Sequence, residues 1–212
     1  MSAKTRPLHV SLVAIPDAVI STLTGIYDVL GSFRMLGRAE PSMPDEPPFT
    51  IEIVATQRGS VALASGVPVE ARRAVSEIAT TDIIIVPSVL VGADGWTRGR
   101  YAEIVDWATR MHAEGALLCS ACSGVFLLAE TGLFDGQETT VHWAYAGEFG
   151  RVFPRVPLQP DRVLVVSGER EGKRRSAALY ELQSRNGSRI MWGRAPGQEA
   201  SGEAAASEKL AR

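Results

Sequence analysis

The sequence has few of the residues from which disulfide frameworks and metal centres are built: it contains two cysteines and three histidines in 212 residues. Two cysteines in a chain of this length do not make a disulfide framework, and they predict a protein of the reducing cytoplasm. The sequence also lacks an apolar run of the roughly 20 residues that a membrane-spanning helix requires. Its first residues contain no apolar stretch typical of a signal peptide. We therefore predict a cytoplasmic protein with no membrane partner.

An excess of positive charge is missing as well. The chain has 22 Lys and Arg against 24 Asp and Glu, a net charge of -2, whereas a nucleic-acid-binding protein usually carries a basic patch. Hydrophobic residues make up 45% of the chain, which suffices for the core of one globular domain. The remaining classes are an enzyme, a sensor and an interaction domain.

Valine is absent from residues 171–212, although residues 1–170 contain 20 valines. The charge balance reverses at the same place, from 14 basic and 19 acidic residues before it to 8 basic and 5 acidic residues after it. A segment with so few apolar residues buries little surface and tends toward disorder or weak helix. We therefore predict one domain at residues 1–171 and a divergent tail at residues 172–212.

Short apolar runs alternate with amphipathic stretches in the first domain. The pattern predicts strands at Leu8–Ile15, Phe49–Ala55, Asp82–Pro87, Ala116–Ala121 and Arg162–Ser167, a hairpin over Ser60–Val69, and helices at Ile20–Leu36, Arg98–Gly115 and Ser123–Thr131. This alternation is typical of an α/β sandwich with a mainly parallel sheet. Reactive groups in such sheets lie beyond the carboxyl ends of the strands.

Cys122 stands at one of these strand ends, between small residues in the sequence Ser120-Ala-Cys122-Ser-Gly124. Small neighbours permit a tight strand-to-helix turn that exposes a nucleophile, which is the nucleophile elbow. The free N–H groups at the start of the following helix would lower the thiol pKa, and the Ser123 N–H would be the first donor to an oxyanion. A buried structural cysteine remains the alternative.

Cys119 and Cys122 also form a C-x-x-C pair, which is typical of a redox dithiol or of half a zinc site. A zinc site needs four ligands, so two more would have to join the two cysteines, and the chain has only three histidines from which they could come. A redox dithiol opens a helix, whereas Cys119 lies inside the predicted strand. We predict neither a metal nor a cofactor.

His142 lies about twenty residues after Cys122, in the sequence Thr139-Thr-Val-His142-Trp143. An imidazole at this place would accept the thiol proton or act as acid and base. A structural histidine packed under Trp143 accounts for the pattern equally well.

The stretch from Cys122 to Gly136, together with Thr139–Trp143, strongly resembles the ThiJ/PfpI superfamily. Within it the match is to the amidotransferase-like N-terminal domain of AraC-type (GlxA-like) transcriptional regulators, and it is strengthened by Ser21–Leu30, Gly95–Trp96 and Val163–Glu171. The resemblance implies a class I glutamine amidotransferase-like, flavodoxin-like three-layer sandwich that forms a dimer. It places Cys122 at the nucleophile position and His142 at the neighbouring histidine.

Two departures from the superfamily pattern argue against catalysis. Enzymatic relatives carry an acidic residue beside the thiol, and Thr22 stands at that position here. Many members have two glycines after the strand that ends at Pro87, where this sequence has Ser88 and Val89, so the Val89 N–H is a doubtful second oxyanion donor. Both changes predict a ligand pocket, lined by Thr22 and Trp143, that has lost full chemistry.

The resemblance ends at residue 171, where regulators of this type continue toward a helix-turn-helix half. We interpret residues 172–212 as a divergent or frame-shifted end, with an ordinary variable tail as the alternative. The predicted function is the sensing part of such a regulator, without its DNA-binding half, binding an unidentified small molecule and no specific DNA. A hydratase, hydrolase or glyoxalase-like lyase that uses Cys122 is the alternative.

Overall fold

The computed structural model describes residues 6–36, 46–167, 176–179, 183–184 and 187–188. The chain divides into two compact units, residues 1–181 and residues 182–212. The first unit contains every element that bears on the site.

Strands and helices alternate along the first unit. Its strands are β1 (Leu8–Val13), β2 (Phe49–Ala55), β3 (Gly59–Ala62), β4 (Pro68–Ala71), β5 (Arg73–Ala74), β6 (Ile83–Val86), β7 (Leu117–Ala121), β8 (Leu164–Ser167) and β9 (Ser176–Leu179). Its α-helices are α1 (Ile20–Gly31), α2 (Phe33–Leu36), α3 (Ala102–Ala113), α4 (Val125–Ala129) and α5 (Trp143–Val152), and short 3-10 turns lie at Val75–Glu77 and Cys122–Gly124.

In the part of the chain that the structure describes, seven strands form one sheet in the order β5-β2-β1-β6-β7-β9-β8. Every neighbouring pair is parallel except β8 and β9, which run antiparallel. The strands β3 and β4 form a separate antiparallel hairpin, as the sequence predicted. The predicted α/β fold with a mainly parallel sheet is thereby confirmed.

The core forms where continuous apolar strands meet the apolar stripes of helices. Ile84 and Val86 of β6 are fully buried, as expected for a central strand covered on both faces. Helix α3 buries the predicted stripe, which consists of Ile104, Trp107, Ala108 and Met111. Gly115 ends this helix with φ +113°, a conformation that glycine adopts without the steric cost of a side chain.

All three predicted helices are shorter in the structure. The one predicted over Ser123–Thr131 is α-helical only over Val125–Ala129. The helix predicted over Ile20–Leu36 is divided at Ser32, whose hydroxyl donates to the Val29 carbonyl oxygen at 2.7 Å, because serine competes in this way for the groups of a helical turn. The helix predicted from Arg98 begins only at Ala102, since Gly99 has φ +79°.

Several elements are new relative to the sequence pattern, including the short strand β5 and the 3-10 turn at Val75–Glu77. Helix α5 was not predicted, and neither was β9, which pairs with β7 and β8. Because β9 spans Ser176–Leu179, the sheet continues past residue 171, the predicted end of the domain, and the compact unit ends at residue 181.

The second unit has one described element, an antiparallel pair of strands β10 (Gln183–Ser184) and β11 (Gly187–Ser188). The rest of the predicted tail lies outside the described residues. Across the residues that the structure describes, no helix is both long and apolar enough to span a membrane.

Candidate functional site

Cys122 lies where β7 ends and the 3-10 turn toward α4 begins. Its φ is +51°, and it is the one residue other than glycine with a positive φ in the described part of the chain. A side chain in this region costs backbone strain, and such strain is concentrated at functional sites. The thiol is partly buried. The sequence therefore placed Cys122 correctly, between a buried strand and a helix.

Burial raises the pKa of the Cys122 thiol above its ordinary value, because the charged thiolate loses hydration. Hydrogen-bond donors act in the opposite direction and do not outweigh burial. They are the backbone N–H groups of Ser123 and His142, and the side chains of Ser88 and Ser123 also lower the pKa of the thiol. The site thus surrounds the sulfur with donors while it keeps the thiol protonated at neutral pH.

Ser123 and Val89 are joined by two hydrogen bonds. The Ser123 hydroxyl donates to the Val89 carbonyl oxygen at 2.6 Å, and it accepts from the Val89 N–H at 3.0 Å. Both residues are buried. The Val89 N–H, which the sequence offered as a second oxyanion donor, is therefore bonded within the protein.

The His142 ring lies at the start of α5. Its Nδ1 accepts from the Ala144 N–H at 3.1 Å, so the ring caps the helix. Burial lowers the pKa of His142, which keeps the imidazole neutral. The backbone N–H of His142 lies against Cys122. The predicted acid–base role of the His142 ring stays a prediction.

Thr22 and Trp143, the two predicted pocket residues, lie in different surroundings. Thr22 is half-buried, and its hydroxyl donates to the Val19 carbonyl oxygen at 2.9 Å. Trp143 is 70% exposed, with its ring centroid 5.1 Å from that of His142. Thr22 thus uses its proton within its own helix, whereas Trp143 stands at the surface beside the Cys122 site.

A cleft of about 340 Å³ opens beside the segments that touch Cys122. One wall begins at Val91, three residues after Ser88 in the sequence, and the other begins at Ala144, two residues after His142. Its walls are Val91, Gly92, Ala93, Asp94, Gly95, Ala144, Tyr145, Glu148 and Arg151. The cleft is formed by continuations of the two segments that contact the sulfur, and its lining residues do not include Cys122 or the predicted pocket residues Thr22 and Trp143.

Two carboxylates anchor the loop that forms one wall of this cleft. Glu148 accepts from the Trp96 N–H at 3.0 Å, and Glu130 accepts from the Trp96 indole N–H at 2.7 Å and from the Gly99 N–H at 2.6 Å. Hydrogen bonds from Arg151 hold the pKa of Glu148 below its usual value, together with the bond from Trp96. Sequence reasoning noted Gly95–Trp96 but missed both acids, because they lie far away in the sequence.

The C-x-x-C pair is not bridged: no disulfide joins Cys119 and Cys122, which both belong to the described residues. Within the described ranges, no three His, Cys, Asp or Glu side chains are grouped so that they could hold a metal ion.

The family model described as "DJ-1/PfpI family" matches residues 42–153 of the chain. This range includes β6, Cys122, His142 and all of α5. The match therefore covers the segments that contact the Cys122 sulfur and those that form the cleft, whereas Thr22 lies outside it.

Individual relatives fall into two functional groups. The isonitrile hydratase of Pseudomonas putida is 25% identical over 65% of this chain and 54% of its own length. The HTH-type transcriptional regulator GbdR of Pseudomonas aeruginosa is 26% identical over 44% of this chain and 31% of its own length. This chain thus spans about half or less of both curated relatives.

A solved structure shows the same fold. The AraC family transcriptional regulator from Pseudomonas putida superimposes with a TM-score of 0.59 over 81% of this chain and 83% of that one, at 18% identity. This likeness supports the flavodoxin-like sandwich expected from the sequence.

Proposed function

Since this chain belongs to the DJ-1/PfpI family, we propose that its first unit is the ligand-sensing domain of an AraC-type transcriptional regulator. The matches to GbdR and to an AraC family structure support this assignment. The sensed molecule would bind at the Cys122 site, in the cleft beside it. A dimer, as expected from the resemblance, and a cytoplasmic location, as expected from the cysteine content, belong to the same proposal.

One observation carries the choice of a sensor: the groups that lower the pKa of the Cys122 thiol are backbone N–H groups and serine hydroxyls, none of which is a base. Donors stabilise an anion or hold a carbonyl oxygen, but they do not remove the proton of a thiol. Burial meanwhile keeps that proton in place by raising the thiol pKa. This arrangement favours binding over nucleophilic attack.

The neighbours that could complete an acid–base pair are used elsewhere. Thr22 has no group that titrates near neutral pH, and its hydroxyl is bonded to Val19. The His142 Nδ1 serves the helix N-terminus. A cysteine enzyme needs a base positioned on its thiol. The Thr22 hydroxyl and the His142 Nδ1 are instead engaged in hydrogen bonds to Val19 and Ala144.

The cleft offers mixed chemistry to a small molecule. The Arg151 guanidinium is held against Glu148, with its Nη2 at 2.7 Å from Oε1, while Tyr145 and Ala144 provide apolar surface. Clefts of this volume are of the size that binds small ligands. We therefore expect a small polar metabolite and not a polymer.

A cysteine-dependent hydratase is the second candidate. The positive φ of Cys122 supports it, since an exposed and strained nucleophile has this conformation. The similarity to isonitrile hydratase supports it as well. The two candidates differ in whether a bound molecule is released unchanged.

The experiment is a thermal-shift screen of small organic acids, amines, amino acids and sugars against three proteins. They are the wild type, Ala144→Trp, which fills the cleft, and Ala113→Trp, which adds the same side chain at an exposed position on α3. The proposal predicts compounds that raise the Tm of the wild type and of Ala113→Trp but not of Ala144→Trp. Equal shifts in all three proteins, or no shift in any, would refute it.

A further inference from the structure

The Ser123 hydroxyl uses both of its hydrogen-bonding capacities on one residue, Val89. It donates to the carbonyl oxygen at 2.6 Å and accepts from the N–H at 3.0 Å. Ser123 is 1% exposed and Val89 is 0% exposed, so water does not compete for these bonds. A buried reciprocal pair of this kind holds both residues in one arrangement.

The peptide unit that carries the Val89 N–H is fixed from its other side. The Ser88 carbonyl oxygen, which belongs to the same peptide plane, accepts from the Val19 N–H at 2.8 Å. Rotating this peptide would break that bond as well as the bond to Ser123. The Val89 N–H therefore keeps its direction, and only the Ser123 side chain can leave it.

The Ser123 oxygen also lies within hydrogen-bond reach of the Cys122 sulfur. It thus interacts both with that sulfur and with a backbone N–H of fixed direction. An oxyanion formed by attack of the sulfur on a carbonyl carbon needs a donor at this place. The single proton of the hydroxyl goes to Val89, so Ser123 fills the position without acting as a good donor to the sulfur.

We propose that the Ser123 hydroxyl occupies the oxyanion position of the Cys122 site and thereby blocks acyl transfer to the cysteine. The Val89 N–H would become an oxyanion donor when this hydroxyl is removed. The inference deepens the proposed function, and it rests on that function only in taking Cys122 as the centre of the site.

Two reagents distinguish a change in oxyanion stabilisation from a change in the pKa or accessibility of the thiol. With p-nitrophenyl acetate, the Cys122 thiolate forms a bond to the carbonyl carbon, the carbonyl electron pair moves to oxygen, and the intermediate expels p-nitrophenolate. The products are S-acetyl-Cys122, p-nitrophenolate and the thiol proton, which is lost to buffer. With iodoacetamide, the thiolate displaces iodide from a saturated carbon, and no oxyanion forms.

The measured quantity is the ratio of the acetylation rate to the alkylation rate, with Cys122→Ser as the blank. A change in thiol pKa or access alters both rates together, whereas a new oxyanion donor accelerates acetylation alone. One such donor is worth about 10²–10³-fold in rate, and we expect Ser123→Ala to raise the ratio at least about tenfold. Ser88→Ala is the matched control, because its hydroxyl contacts the sulfur but not the Val89 N–H, and it should leave the ratio unchanged.

Ser123→Gly removes the same hydroxyl and serves as a second variant if Ser123→Ala does not fold. An unchanged ratio in the folded variant, an equal rise in Ser88→Ala, or no acetylation of any protein would overturn the inference. The thermal-shift screen reads ligand binding by the wild type independently, so a failure here is distinguishable from a failure of the sensor proposal.

Discussion

Gly124 and Pro87 approach each other so closely that a Cβ on Gly124 would lie 2.4 Å from the Pro87 carbonyl oxygen. The same Cβ would lie 2.5 Å from the Val86 carbonyl oxygen. The end of β6 is thus packed directly against the turn that carries Cys122. The glycine two residues after the cysteine is required by this contact between two backbones.

Substitution of Gly124 should therefore destabilise the fold. We expect Gly124→Ala to lower the free energy of unfolding by about 2 kcal/mol or more, because the backbone cannot move aside as a flexible side chain does. Gly147 in α5 is the matched control, since a Cβ added there would meet nothing beyond its own helix within 4 Å. Gly147→Ala should be neutral or stabilising by up to about 1 kcal/mol. Urea unfolding measures both, and equal effects would contradict the account.

The reactivity of Cys122 should follow a raised thiol pKa. Burial favours the protonated form of the Cys122 thiol. The rate of alkylation by iodoacetamide should therefore reach half of its plateau at a higher pH than for a free thiol, whose pKa is about 8.5. Peptide mass spectrometry after quenching separates Cys122 from Cys119. A midpoint below pH 7 would show a thiolate active at neutral pH and would favour the hydratase.

His142 should contribute to stability as a helix cap. His142→Ala should lower the free energy of unfolding by about 1 kcal/mol. His142→Asn should lower it less, because asparagine also accepts from the N–H groups of the first turn. Thermal unfolding at pH 7.5 measures the difference between the two variants. Equal losses would show that the bond from Ala144 adds nothing.

The same residue should make stability depend on pH. Because burial lowers the pKa of His142 in the folded state, the unfolded chain takes up the proton first as the pH falls below about 6.5. Stability is therefore lost between that value and the lower folded pKa. The wild type should lose more stability than His142→Asn between pH 7.5 and pH 5.5 in urea unfolding. Parallel losses would contradict this, since the carboxylates titrate alike in both proteins.

The ion pair of Glu52 with Arg73 should matter more than an exposed one. Burial opposes ionisation of Glu52, but hydrogen bonds and charge from Arg73 and His9 outweigh it and lower the carboxyl pKa. The Glu52 side chain is 11% exposed, so Arg73→Ala should cost about 2–3 kcal/mol by leaving a poorly hydrated carboxylate. Arg58→Ala removes the ion pair with Glu77, whose two side chains are 63% and 38% exposed. It should lower the free energy of unfolding by less than about 1 kcal/mol. Equal costs in urea unfolding would contradict this ranking.

Much of the sheet was predictable because its central strands are continuous apolar runs. Phe49–Ala55 was predicted with its observed bounds, and Cys122 was placed at its strand end from the small residues around it. The local sequence was sufficient in both cases, because a buried strand requires apolar residues and a tight turn requires small ones.

Other features depend on contacts that composition does not record. Helix α5 has Tyr145, Phe149 and Val152 at helical spacing, but Gly147 and Gly150 weaken its helical propensity. Strand β9 lies in a segment that looked unsuited to a core. The bond between Val89 and Ser123 joins residues 34 positions apart, and no local pattern signals it.

The fate of a bound molecule tests the central claim most directly. A compound that stabilises the wild type but not Ala144→Trp would be incubated with the wild type and with Cys122→Ser, and followed by proton NMR. A sensing site predicts that the compound is recovered unchanged from both proteins. Conversion by the wild type, abolished in Cys122→Ser, would contradict the sensor and establish a cysteine enzyme.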